Sequence, residues 1–339
     1  MTTWKKMFSL FGAIALMCTF GFATGQKEGA KVEKVELKLA HVGSPASPQQ
    51  SIGKIFVEKV STKTGGSVAI TIFDSGTLGN EKFLQEGVRS GTVDIAIAGT
   101  FSHVLPWAGI LETPTLFRNM DHFVGVFSSK LGEAFITDFE KELGVKTLFI
   151  APHGGFRYIT TKAKAIKKPA DMQGLKLRNP NVPAYNIMAN AVGAIPIPLD
   201  FAELYVALDR GVVDGQHDPT GHIVGSKFYE VQRYLNLVPW GITPHVVCMS
   251  KRAWDKLNSA QQKAVMEAAR ETIKEYPAVA AKEEQEQLNF LKDKMTIIRA
   301  EEIDIQAFSA VLQEKGLPAL EKEYPPQGVK WVKEIINFK

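Results

Sequence analysis

Beyond residue 34 the chain alternates two hydrophobic rhythms. Val35, Leu37 and Leu39 alternate with charged positions and read as a strand, SPASP breaks the run, and Ile52, Ile55, Phe56 and Val60 then recur at helical spacing. A Gly65-Gly66 turn leads to the strand SVAITIF, the loop DSGTLG, the helix NEKFLQEGVRS and the strand TVDIAIAG. This β-α-β-α-β run predicts a mainly parallel sheet covered by helices on both faces, with ligands settling at the carboxyl ends of the strands.

The pattern then restarts. KTLFIAPHGG and FRYITT read as strands, KPADMQ as a capped turn, GLKLR as a strand, and VPAYNIMANAVG as a helix opened by Pro183. AIPIPLD, the helix FAELYVALDRG and the segment VVDGQHDPT follow. A second α/β unit of similar plan is the economical reading, giving two lobes with a cleft between them. From Lys251 to Arg299 there is no glycine and a single proline, Pro277, which predicts a long helix with a break near that proline. In a two-lobed protein such a helix would brace both halves.

The N-terminus changes the picture of where the chain works. Lys5 and Lys6 precede an uncharged stretch from Met7 to Gly25 that closes on the small-residue group Ala23-Thr24-Gly25. This is the layout of a secretory signal peptide cleaved after Gly25, followed by a polar leader from Gln26 to Lys34. Gly12, Thr19 and Gly21 dilute a stretch already at the short limit for spanning a bilayer, which argues against a retained anchor. Cleavage removes Cys18 and leaves Cys248 alone, so no intramolecular disulfide is possible; lipid anchoring through Cys18 is the minority alternative. The expected mature protein is exported, soluble and periplasmic. A length of 339 residues suits two domains, and a net charge of +4 without a dense Lys/Arg run gives no reason to expect a nucleic-acid partner.

Signatures of catalysis are missing. There is no G-x-S-x-G, G-x-x-x-x-G-K-[ST], H-E-x-x-H or C-x-x-C, and GHIVGSK from Gly221 misses the phosphate-loop spacing by one residue. Asp214, His217 and Asp218 fall within five residues, yet a third metal ligand at matching spacing is absent and such loop residues more often bond turns. No metal and no cofactor are expected. What recurs is a cation at a strand end: Arg157 opens FRYITT and Arg178 closes GLKLR, so two neighbouring strands could aim guanidiniums into one cleft. Two converging arginines need an anion between them, either a ligand carboxylate held by the planar fork or a carboxylate of the protein itself.

ADMQGLKLRNPNVPAY, together with AIPIPLDFAELYVALDRGVVDGQHDP, DSGTLGNEKFLQEGVRSGTVDIAIAG, GGFRYITT and KFYEVQRYL, closely resembles the solute-binding subunits of tripartite ATP-independent periplasmic transporters. These are the dicarboxylate- and sialic-acid-binding type, and the resemblance covers essentially the whole mature chain. It implies an α/β, two-lobed periplasmic-binding-protein-like fold, each lobe a mixed, mainly parallel sheet flanked by helices, with a long helix bracing both. Lobe I would take residues 35–154 plus 243–283, and lobe II residues 155–242 plus 284–339. It implies further that Arg178 forms the main salt bridge to a ligand carboxylate, with Arg157 a second contact. Pocket positions fall on Glu81, Gly99, Thr100, Asn181 and Phe201.

Two departures from the family pattern bear on the ligand. QHDP stands where QENP is usual, so a pocket asparagine becomes Asp218, which would face a hydroxyl or amine of the solute or orient an arginine. Trp240 stands where a histidine is common, either packing on a sugar ring or filling the core between the lobes. Together they tilt the expected solute toward a sugar acid, a uronate or aldonate, with a C4-dicarboxylate or keto acid as the alternative. The implied partners are that organic acid and the integral membrane permease subunits, with the binding protein acting as a monomer. The rival from another class is an exported enzyme acting on an anionic sugar, with His217 and Asp218 as its acid-base pair.

Overall fold

A computed structural model describes residues 33–339. The signal peptide, the lipid-anchoring option at Cys18 and most of the polar leader lie outside the described residues.

Among the described residues eleven strands build two sheets. They are β1 (Val35–Ala40), β2 (Val68–Phe73), β3 (Ile95–Ala98), β4 (Val145–Pro152), β5 (Arg157–Thr161), β6 (Lys176–Asn179), β7 (Ile195–Pro198), β8 (Gly215–Asp218), β9 (Tyr234–Gly241), β10 (Pro244–Ser250) and β11 (Thr296–Ile298). The first sheet has the order β2-β1-β3-β10-β4 and the second β11-β9-β5-β8-β6-β7. Both are mixed: β1 runs parallel to β2 and β3, whereas β10 is antiparallel to both of its neighbours. In the second sheet β5 is antiparallel to β8 and β9, while β6 is parallel to β7 and β8. The chain therefore crosses between lobes from β4 to β5 and again from β9 to β10.

The helices form where local chemistry allows. Helix Pro48–Thr64 starts on Ser47, whose hydroxyl accepts from Gln50 N, has Pro48 in its first turn, and stops at Gly65 in the left-handed region at φ 57°. Its buried face, Ile52, Phe56 and Val60, packs over the first sheet, with Phe56 against Phe149 at 5.4 Å between ring centroids. The segment between β3 and β4, to which the hydrophobic pattern assigns no element, is helical, with helices Met120–Phe127 and Lys130–Leu143 capped by Asn119 and Ser129.

The long helix departs from expectation in one respect. It breaks at residues 255–258, where Asn258 and Gln261 form a reciprocal capping box, and from Ser259–Leu291 it runs unbroken through Pro277. It lies against helix Pro48–Thr64 and β4 on one side and helix Thr220–Gly225 on the other. Two of its side chains tie the lobes: Glu283 accepts from Ser51 Oγ at 2.6 Å, and Gln287 accepts from Thr220 Oγ1 at 2.7 Å.

The last helix, Pro326–Asn337, does not join the second lobe as residues 284–339 were expected to do. Gly328 sits on the backbone at Trp107, Trp331 meets Phe135 edge-on at 5.4 Å, and Arg118 donates to the carbonyls of Ile336 and Phe338. The physical reason is that the helix presents an apolar face, Trp331, Val332 and Ile335, and its open carbonyl end meets the Arg118 guanidinium there.

Pro277 leaves the Ile273 carbonyl without its i+4 donor. Pro277→Ala should therefore raise stability by about 1–3 kcal/mol, read as a higher urea midpoint at unchanged slope.

Candidate functional site

The sheet order explains how distant charges meet. β5 is antiparallel to β8 with Tyr158 opposite Asp218, and β6 is parallel to β8 with Arg178 opposite Gln216. The start of β5, the end of β6 and the end of β8 therefore share one edge of the second sheet. Arg157 and Arg178 are not on neighbouring strands, as spacing suggested; β8 lies between them and brings Asp218 to the midpoint. Facing them is the matching edge of the first sheet, where β3 ends and β4 gives way to His153 beside His245 of β10.

Between these edges lies a cavity of about 460 Å³, lined by Glu81, Gly99, Arg157, Arg178, Asn181, Phe201 and Asp218 among others. At its mouth Asn80 Nδ2 donates to Asp200 Oδ2 at 3.1 Å, joining the two lobes across the opening. Asn80 also caps helix Glu81–Ser90, accepting from Phe83 N at 3.0 Å, so the cap that starts the helix also bridges the cleft.

Arg157 is almost fully engaged by protein. Its Nε donates to His217 Nδ1 at 2.9 Å, and its Nη2 donates to the His217 carbonyl at 2.7 Å and to Asp218 Oδ1 at 2.6 Å. Burial disfavours its charge most strongly of any single cause, but Asp218, Tyr185, Glu112 and Glu81 together hold its pKa up. Arg178 differs. Its Nε and Nη2 both donate to the Leu199 carbonyl, at 3.1 and 2.8 Å, and Nη1 stands 3.9 Å from Asp218 Oδ2, too far for a hydrogen bond. A guanidinium has five N–H donors, so three of those on Arg178 have no protein acceptor. Burial, with Arg157 adding to it against the pull of Asp218, lowers its pKa to about 10. The Phe201 ring lies beneath it, 5.9 Å from the guanidinium carbon.

Asp218 is 2% exposed, and burial raises its pKa against the pull of both arginines. One of its oxygens is committed to Arg157; the other, Oδ2, is buried without a hydrogen-bond partner. On the opposite wall Glu81 Oε1 accepts from Gly99 N at 2.7 Å, while Glu112 Oε1 accepts from Thr100 N at 3.1 Å and Thr100 Oγ1 at 2.7 Å. A Cβ on Gly99 would lie 2.9 Å from both carboxylates, so glycine is required by their close approach. Burial and the nearby Glu81 raise the Glu112 pKa, favouring the acid form.

Two expected contacts do not reach the cavity. Thr100 is fully buried and spends both its donors on Glu112, so it acts through that residue. Trp240 is 1% exposed, belongs to the apolar core and stands 5.9 Å from the His217 ring; it is a core residue because β9 turns it inward. Asp214 lies at the far end of β8 and accepts from Lys176 N at 2.9 Å, a turn-bonding role. No group of His, Cys, Asp and Glu among the described residues is arranged to hold a metal ion.

Sequence reasoning missed Glu112, His153, His222 and His245, all of which line the cavity. The histidines are spread over 93 positions of chain from 153 to 245, and only strand order gathers them. A partial signal existed: His153 directly follows β4, His245 is the second residue of β10, and His222 lies in the first turn of helix Thr220–Gly225.

Comparison with known proteins adds an independent line. A family model described as bacterial extracellular solute-binding protein, family 7, matches residues 39–319. A solute-binding protein of Roseobacter denitrificans is 32% identical over 323 residues, spanning 93% of this chain and 95% of its own. The structure of a TRAP periplasmic solute-binding protein from the same organism, with bound L-galactonate, matches with a TM-score of 0.80 at 28% identity, over 90% of this chain and 99% of that one. The 2,3-diketo-L-gulonate-binding periplasmic protein YiaO of Escherichia coli is 29% identical over 88% of this chain and 90% of its own. A TRAP periplasmic solute-binding protein from a Polaromonas species, bound to D-erythronate, matches with a TM-score of 0.82 at 27% identity, over 90% and 99% of the two chains.

Neutralising the shared anion tests the electrostatics. Asp218→Asn leaves two buried guanidiniums without a counter-charge and should destabilise the ligand-free protein by roughly 3–5 kcal/mol in urea unfolding. An unchanged midpoint would mean that the arginines do not depend on Asp218.

Proposed function

Because this chain belongs to the bacterial extracellular solute-binding proteins of family 7, we propose that it captures a hydroxylated organic acid between its lobes and delivers it to a membrane permease. The permease is that of a tripartite ATP-independent periplasmic transporter, and the binding protein works as a monomer in the periplasm. The family is one of binding proteins, not enzymes. His217 fits that: Arg157 Nε occupies its Nδ1 and Asn179 Oδ1 its Nε2, at 2.9 Å each, so neither nitrogen is free to move a proton.

The observation that carries the choice of solute is Asp218. Arg178 offers three donors to a carboxylate, and 3.9 Å from its Nη1 stands an ionisable oxygen that can only accept while it is charged. A solute whose carboxylate binds Arg178 and whose neighbouring carbon bears a hydroxyl satisfies both groups. An unsubstituted dicarboxylate offers no donor to Asp218, and its second charge would meet Glu81 on the facing wall. L-galactonate and D-erythronate, bound by two of the relatives, carry such a hydroxyl, which supports the reading of a sugar acid, although another relative of similar likeness, from Sulfurospirillum deleyianum, binds succinate.

Lobe closure removes the carboxylate and Arg178 from water, and that cost is offset only when both are hydrogen-bonded. The outer surface altered by closure would then signal the loaded state to the permease.

Titration calorimetry of residues 26–339, stripped of co-purified solute, against L-galactonate, D-erythronate, D-glucuronate and succinate should rank the hydroxy acids above succinate. Arg178→Ala should cost roughly 2–5 kcal/mol of affinity, and Arg178→Lys should not restore it. Succinate binding tightest would favour the dicarboxylate alternative, and silence toward every acid would sink the carboxylate reading.

A further inference from the structure

Three histidines unused so far meet on the cavity wall. His153 Nε2 and His222 Nε2 are 2.7 Å apart, His153 stacks on His245 with 3.7 Å between centroids and 19° between planes, and Arg157 Nη1 stands 3.4 Å from His153 Nδ1. Burial, helped by repulsion from His245, His222 and Arg157, holds His153 well below its usual pKa. Burial and the two arginines take His222 down to about 3. Both rings are therefore neutral at physiological pH, and each has one N–H and one lone pair.

Two nitrogens 2.7 Å apart share a single hydrogen, and two arrangements are open to them. Arg157 chooses between them, because a guanidinium donates, never accepts and keeps its charge. The nitrogen it faces, His153 Nδ1, must carry the lone pair. His153 then bears its hydrogen on Nε2 and donates to His222 Nε2, which leaves the His222 hydrogen on Nδ1. That Nδ1 is buried and without a protein partner, on a residue lining the cavity. The Phe201 ring meets the His222 imidazole edge-on at 4.7 Å and holds its plane. The same logic closes on the other side of Arg157: its Nε donates to His217 Nδ1, so His217 Nε2 donates to Asn179 Oδ1, and Asn179 Nδ2 in turn donates to Asn186 Oδ1 at 3.0 Å.

We propose that Arg157, acting through His153, fixes His222 Nδ1 as a one-way hydrogen-bond donor to the bound solute, so that the solute must place an oxygen acceptor there. His222 is then a specificity-determining residue and His153 the residue that positions its proton. The pairing with Asp218 is complementary: one wall group demands a donor from the solute and the other an acceptor, which a chain of hydroxyls supplies and an aliphatic or amine-bearing acid does not. This assignment rests on the cavity being the solute site, while the proton placement stands without it.

The test uses residues 26–339 labelled with ¹⁵N-histidine, with signals assigned by single His→Gln variants. In the solute-free protein at pH 7 His222 should show a protonated Nδ1 and a lone-pair Nε2, and His153 the reverse. The opposite tautomers, or an imidazolium on either ring, overturn the proposal. His153→Phe keeps a stacking ring but removes the donor, and should shift His222 toward the other tautomer; an unmoved His222 signal would mean that His153 only packs. With L-galactonate as probe, His222→Leu should weaken binding by about tenfold or more, the worth of one buried hydrogen bond. Binding within twofold of the parent overturns the donor role. A protein with the expected tautomers that binds none of the acids would remove the solute reading and leave the relay standing.

Discussion

Everything about this site depends on one buried ion pair, Arg157 Nη2 to Asp218 Oδ1 at 2.6 Å. Taking both charges out of water costs several kcal/mol each, and the pair is tolerable only because the remaining lone pairs and protons find partners. The protein meets this condition unevenly. Arg157 is nearly saturated, Asp218 is half satisfied, and Arg178 is largely unsatisfied. On the proposed reading, this unevenness is what would make a binding site out of an ion pair, since a solute that completes the set would recover the desolvation cost left outstanding.

The same pair sets the direction of hydrogen bonds well beyond itself. Because Arg157 can only donate, the rings at His217 and His153 are both obliged to accept on one nitrogen and donate on the other. Asn179 and His222 inherit their roles from that choice. A polar network organised by a permanent cation has one consistent arrangement of protons, which preorganises the cavity before a solute arrives.

One helix spans both lobes around this network. Helix Ser259–Leu291 contacts both of them and bonds Ser51 on one side and Thr220 on the other. Helix Pro326–Asn337, added to the first lobe by its apolar face and by Arg118, thickens the wall that the long 3-10 turn Pro106–Glu112 forms behind Glu112. A cavity wall so backed keeps Glu112 close to Glu81, and Gly99 is the residue that permits the approach.

The sequence by itself determined the local elements and the family. Alternation at Val35, Leu37 and Leu39 and the helical spacing of Ile52, Phe56 and Val60 are short-range facts, and short-range physics decides them. The arginines at strand ends were legible for the same reason, as was the resemblance carried by the ordered motifs around Arg178. Long-range pairing was not. The placement of β8 between β5 and β6, which turned two candidate ligand clamps into one nearly saturated and one open arginine, is a matter of sheet order that no local pattern encodes. Trp240 reads equally well as a sugar platform or as core until β9 is placed, because an alternating strand does not say which of its faces is inside. The three histidines look scattered along the chain and become a relay only once four strand ends and a helix converge, since hydrogen-bond direction is a property of neighbours and neighbours are chosen by the fold.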